Sequence, residues 1–359
     1  MSVVRRAYRY ARWLDSRAGA RARDALLAGA GVALSLPIGV SHGRLSRELG
    51  SIWADMHMTH VARMALASLR TQGILQSVDD LDIAGRKGSR TVFVLGSGSS
   101  INDLTEADWA VIGRHDSIGF NYWLIHSFMP TFYFIELGTA DLAEDEYYAH
   151  LLSRRLPNLG DTPIIVESKC WLQHNGVASQ LPQELRSHLF FYAPYYLRTS
   201  SIEVVAWVLR QSRWLWRHGS CDLRAMIHHR ASLSAIVLFA FLAGYEEIVL
   251  VGVDLNNPRY FWETDSAVLG GLAGPPSSQA GQVHRTVDPD ATAEEMAIPI
   301  DEYLHLLDSS LLRPSGVALS VASSASRLVS ILPVYGGLSL GGKGVRSAMP
   351  QESIRESSD

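Results

Sequence analysis

From Ala231 to Ala243 the chain carries no charged residue, its only polar side chains are Ser232 and Ser234, and Gly244 follows directly. A helix that is apolar around its whole circumference has no face to offer water, so it has to be enclosed. Beyond the glycine, Glu247 to Gly252 reads as a strand that finishes in Val253-Asp254. An apolar strand behind an enclosed helix calls for a sheet covered on both faces.

The upstream chain supplies the rest of that sheet. Val92-Phe93-Val94-Leu95 forms a strand candidate that enters Gly96-Ser97-Gly98-Ser99-Ser100 without a break. Leu104 to Ile112 reads as a helix entered through Thr105, with Glu106 and Asp108 in its favourable first turn. Further strands are expected at Ser117–Phe120, Thr131–Ile135, Pro163–Glu167, His188–Tyr192 and Val317–Val321. Helices are expected at Ser51–Leu75, Ala293–Leu312 and Ser324–Leu332. Strands separated in this way predict an α/β fold with an open, mainly parallel, Rossmann-like sheet flanked by helices.

Three regions follow: a basic helical extension over residues 1–88, a Rossmann-like domain over 89–336 with a lid near 255–292, and a flexible tail over 337–359. The extension is distinctive in charge. Residues 1–31 hold seven arginines, from Arg5 to Arg23, against Asp15 and Asp24, with Tyr8, Tyr10 and Trp13 among them; Ala25 to Ser41 is uncharged. Two readings stand side by side: a peripheral contact with an anionic membrane surface, and a helix packed on its own domain with solvated arginines. Gly29, Gly31, Pro37 and Gly39 argue against a spanning helix. The formal charge of −4 argues against nucleic acid as a partner, and two cysteines are too few for a disulfide scaffold or a zinc cluster. The expected location is the cytoplasm, peripheral to the inner face of the cell membrane, and a homo-oligomer is compatible with the chain.

A strand that runs into Gly-x-Gly-x-Ser suits a phosphate, because backbone N–H groups gather there and absent side chains permit close approach. It equally suits a tight turn with no ligand. Lacking Gly-Lys-Ser/Thr it is no P-loop, and Ile101 stands where a dinucleotide fingerprint needs glycine. None of the three serines of the loop sits in a Gly-x-Ser-x-Gly elbow, which argues against serine hydrolysis. Asn121, Glu136, Asp254, Asn256 and Asn257 follow other strand ends, where ligands of open α/β sheets bind.

Taken in order, these pieces resemble the bacterial sialyltransferase family that transfers N-acetylneuraminic acid from CMP-sialic acid to lipooligosaccharide. The resemblance rests on Gly96, Gly98 and Ser100, on Asn121 in Gly119-Phe120-Asn121, and on Ser232 twelve positions before Gly244-Tyr245-Glu246-Glu247-Ile248. Gly252-Val253-Asp254 and the closing Val321-Ala322-Ser323-Ser324-Ala325 complete it. It implies a single-sheet GT-A-variant glycosyltransferase in which Gly96 to Ser100, Asn121, Ser232, Ser323 and Ser324 hold the nucleotide. The donor would be a CMP-sugar carrying sialic acid or a related acid such as Kdo, and the acceptor a glycan or glycolipid. Neither a cofactor nor a metal is implied. His284 takes the place of the base, with His228 and His229 as rivals, and Asp254 completes the set. Tyr260 matches one of two leaving-group tyrosines, and the other position is held by Asn256, a departure that loosens the inference. Arg230 and Arg285 are candidates to balance the donor's negative charge.

Two other classes remain open: a metal-dependent nucleoside-diphosphate-sugar transferase or pyrophosphokinase-like enzyme using Asp254 with Glu263 or Asp265, and a nucleotide-binding module without catalysis.

Overall fold

The computed structural model describes residues 41–136, 142–167, 182–213, 216–256, 259–264, 284–294 and 296–341. Residues 1–31, most of the expected lid including Asp265, and the tail after Gly341 lie outside the described residues.

Chain order runs α1 (His42–Thr71), β1 (Gln76–Ser77), β2 (Thr91–Leu95), α2 (Glu106–Ile112), β3 (Asp116–Phe120), β4 (Phe132–Glu136), α3 (Leu142–Arg155), β5 (Ile164–Glu167) and β6 (Leu189–Tyr192). It continues through β7 (Tyr195–Tyr196), α4 (Ile202–Ser212), β8 (Ile227–His228), α5 (Ser232–Leu242), β9 (Glu247–Val251), α6 (Ile300–Leu307) and β10 (Ala318–Val321). Eight strands form one sheet in the order β1-β6-β5-β4-β3-β2-β9-β10, and β7 and β8 pair separately. Every pairing in the large sheet is parallel. The expected open parallel α/β architecture is therefore the observed one.

Alternate residues of each central strand supply the two cores. Val92 and Val94 of β2 join Ile248 and Leu250 of β9 on the side of α5. Phe93 and Leu95 join Val249 and Val251 on the other, with Ile112 of α2 and Leu151 of α3. All eleven residues of α5 are buried, as their sequence requires.

Three expected helices differ from those observed. The first begins earlier and ends at Thr71, because Gly73 takes φ +66°, outside the helical range. The expected Ala293–Leu312 helix is divided: Met296 turns through φ +51° and Pro299 caps a new helix at Ile300. That helix passes into a π turn over Asp308–Leu312. The expected Ser324–Leu332 helix shrinks to a 3₁₀ turn over Arg327–Ser330, capped by the Ser326 hydroxyl.

Candidate active site

From β2 the chain steps outward through β3, β4, β5 and β6, then returns to the other side of β2 for β9 and β10. The crevice outside the carboxyl ends of β2 and β9 is thus the topological switch point of the sheet, the place where such folds take ligands. A cleft of about 270 Å³ opens there. Gly96, Ser97 and Gly98 line it from β2, Asn121 and Tyr122 from β3, Ser232 from the start of α5 and Asp254 from β9, and Arg259, Tyr260, His284 and Thr286 complete the wall.

The glycine loop is pinned to the end of β9. Gly96 N–H donates to Val251 O at 2.7 Å and Gly98 N–H to Gly252 O at 2.7 Å. Asp254 accepts from both groups of Ser100, the amide at 3.0 Å and the hydroxyl at 2.5 Å. A Cβ on Gly96 would lie 2.6 Å from Gly252 O, and one on Gly98 would meet Gly252 O at 2.7 Å and strike the Asp254 carboxylate. The loop glycines are needed first for two strand ends to touch. Three loop amides are spent inside the protein, and the loop turns Ser97 and its bare glycine backbone to the cleft. Burial raises the Asp254 carboxyl above its ordinary range, opposed by the Ser100 hydrogen bonds.

Asn121 adopts φ +51° and Leu255 φ +58°, both on the cleft wall. Left-handed backbone outside glycine costs energy and gathers where a site fixes it. Asn121 Nδ2 donates to Ser232 Oγ at 3.4 Å, while its Oδ1 is buried with no partner among the described residues. Ser232 Oγ donates in turn to Glu136 Oε1. Glu136 and Glu167 are register partners at the ends of β4 and β5, and Glu167 Oε2 lies 2.8 Å from His228 Nδ1. Behind the cleft, then, a partly buried chain of polar contacts runs from Asn121 through Ser232 to Glu136, whose Oε1 stands 3.9 Å from Nδ1 of the His228–Glu167 pair.

The histidines are sorted by their surroundings. His229 is 1% exposed, holds Leu197 O at 2.7 Å through Nδ1 and stacks on Tyr303, and burial lowers its pKa to about 4. His284 lies on the cleft wall with Nδ1 2.7 Å from Thr286 Oγ1, and burial, then Arg230, lowers its pKa from the ordinary imidazole value. Burial raises the Tyr260 phenol, with Glu263 adding to the effect, and the ring stacks on Trp262 at 4.5 Å. Arg230 reaches Arg285 O at 2.6 Å.

Gly96, Ser97, Gly98, Asn121, Ser232, Asp254, Tyr260 and His284 therefore share one cleft, and the other candidates among the described residues do not line it, while Asn257 and Asp265 lie outside the described residues. Ser99 and Ser100 begin the following 3₁₀ turn. Asn256 is exposed and donates to Ala325 O at 2.6 Å. Ser323 accepts from Ala325 N at 3.2 Å within its own turn, and Ser324 is exposed. Sequence reasoning missed Tyr122, Arg259 and Thr286, and it missed the Glu136–Glu167 pairing, whose signal was two apolar strands each closing on a glutamate.

No protein-family model matches the chain, and no curated protein does. Among solved structures it is similar to the sialyltransferase CST-II in complex with trisaccharide acceptor and CMP, at 14% identity over 71% of this chain and 89% of that one, with a TM-score of 0.35. It is also similar to the MAf glycosyltransferase from Magnetospirillum magneticum AMB-1, at 16% identity over 69% of this chain and 34% of that one, with a TM-score of 0.37. Both likenesses are remote.

Proposed function

We propose that the chain is an inverting glycosyltransferase that moves sialic acid, or a related acid such as Kdo, from a CMP-sugar to a hydroxyl of a cell-surface glycan or glycolipid. One observation carries the reading: loop, asparagine, serine, tyrosine and histidine, scattered between Gly96 and His284, line a single cleft at the switch point. In this mechanism the acceptor oxygen forms a bond to the anomeric carbon as the bond from that carbon to the phosphate oxygen breaks. The electron pair leaves with CMP, and the hydroxyl proton passes to His284. A lowered pKa favours the neutral imidazole, and the tautomer that donates from Nδ1 to Thr286 Oγ1 leaves Nε2 to accept the proton. Tyr260, held as a phenol, donates a hydrogen bond to the leaving phosphate. Asn121 and Ser232 hold the nucleotide.

The test is release of CMP from CMP-sugars with and without acceptor glycans. His284→Ala is expected to lower turnover by about 10² to 10⁴ while leaving CMP affinity within about threefold. Turnover close to that of the parent protein removes His284 as base.

A metal-dependent transfer is the second reading, and one observation favours it. Glu136, Glu167 and His228 offer three ligand atoms within 4.8 Å of one another, whereas Asp254, the expected ligand, is turned onto Ser100. Turnover that survives a chelator supports the first reading. Turnover lost to chelator, restored by Mn²⁺ and absent in Glu136→Gln supports the second.

A further inference from the structure

The middle of helix α1 is reversed in polarity, although its ends expose Arg44, Arg47 and Arg70. Between Ser51 and Leu69 its exposed positions are two alanines, three methionines, Trp53 and His60, with no charge among them. Trp53 is 44% exposed, Met56 48%, Met58 47% and Met64 38%. Asp55, Thr59 and Arg63 turn inward instead, beside the buried Ala65 and Leu66. Asp55 is 3% exposed and receives Arg198 Nε at 2.9 Å, Thr59 donates to Pro194 O at 2.8 Å, and Arg63 donates to Ala193 O at 3.1 Å. A helix on the outside of a domain ordinarily does the opposite. Trp53, Met56, His60 and Met64 fall at spacings of three, four and four, which places them along one side over about 16 Å at 1.5 Å per residue.

The chain that enters this helix specifies what the face meets. Seven arginines, interleaved with Tyr8, Tyr10 and Trp13, lie in residues 1–31, and Ala25 to Ser41 is uncharged up to the first turn of α1. Arginines, an interfacial aromatic set and a following apolar face are the components of a surface that rests on anionic lipid. No helix among the described residues is long and apolar enough to cross a membrane.

We propose that the Trp53–Met64 face of α1 docks on an anionic bilayer, with Trp53, Met56 and Met64 seated at the level of the upper acyl chains. A second copy of the chain, or the chain's own first forty residues, are the other occupants such a face could have.

The test is co-sedimentation of the full chain with vesicles of phosphatidylglycerol and phosphatidylcholine, against vesicles of phosphatidylcholine alone. Binding is expected only with the anionic lipid and is expected to fall as salt is raised. The triple variant Trp53→Glu, Met56→Glu, Met64→Glu is expected to lose at least about tenfold in partitioning, a smaller loss than burial of two large apolar side chains supplies. Far-ultraviolet circular dichroism is expected to be unchanged, since all three side chains are exposed. Three results overturn the proposal: no binding by the parent chain, undiminished binding by the triple variant, or a dimer of the parent that the triple variant converts to monomer without change in vesicle binding. Stronger vesicle binding after deletion of residues 1–40 also overturns it, because it means that this segment covers the face.

Discussion

Gly96, Gly98 and Gly252 show how one residue type serves geometry before chemistry. Gly252 sits at φ +67°, and a Cβ there would come within 2.6 Å of Ile101 Cδ1 and 2.7 Å of Gly96 O. Gly98→Ala and Gly252→Ala are each expected to destabilise the protein by about 1–3 kcal/mol through overpacking and strain, read as a lower urea midpoint. An unchanged midpoint for both means that the two strand ends do not touch as described. At His284 the residue scale also sets a pH dependence. Burial and Arg230 push its pKa below 6.5, so the neutral imidazole persists down to and below that pH. The acidic limb of kcat/KM is therefore expected to fall at a pH lower than 6.5, and a limb above it contradicts the assignment.

At the scale of elements, two buried histidines hold pieces of chain together. His229 ties the turn between β8 and α5 to Leu197 and Ile298, and His126 stacks on Trp123 at 4.4 Å and on Trp109 at 4.9 Å. Burial lowers both pKa values to about 4 from an ordinary 6.5. Between those pH values the unfolded chain holds protons that the folded chain refuses, so stability falls as pH drops through the window. The slope approaches roughly 1.4 kcal/mol per pH unit for each group. Urea midpoints at pH 7 and pH 5 are expected to show that fall, and His229→Asn to lessen it; equal midpoints contradict it. The chain of polar contacts behind the cleft belongs to the same scale. Glu136→Gln leaves Ser232 without a carboxylate partner and is expected to weaken nucleotide binding by about tenfold, the worth of one charge-assisted hydrogen bond. Unchanged affinity removes Glu136 as the anchor of Ser232.

What could be read from the sequence divides along physical lines. The α5–β9 unit and the run of β2 into its loop were legible because full burial leaves an uninterrupted apolar signature, and all five strands from β2 to β6 fall close to where it put them. The break at Pro299 was legible too, since a proline inside a helical run ends the helix before it, and was missed; the π turn after α6 and the shrinking of the last helix were not, since both depend on packing and caps. The pairing of Glu136 with Glu167 depends on register between strands, which no single strand encodes. For the site, Asn121, Ser232, Tyr260 and His284 were legible through their order along the chain. The destinations of Asn256 and Ser100 were not, because an exposed amide and a loop hydroxyl choose partners only when distant chain arrives.

For the whole molecule, the central claim is that the switch-point cleft binds the nucleotide of a CMP-sugar. Isothermal titration calorimetry of the full chain with CMP, UDP and GDP tests it most directly. CMP is expected to bind at least about tenfold tighter than the other two, a margin that one or two base-specific hydrogen bonds supply. Ser232→Ala and Asn121→Ala are each expected to erode that margin. Equal affinity for all three nucleotides, or a CMP affinity that both substitutions leave untouched, contradicts the account.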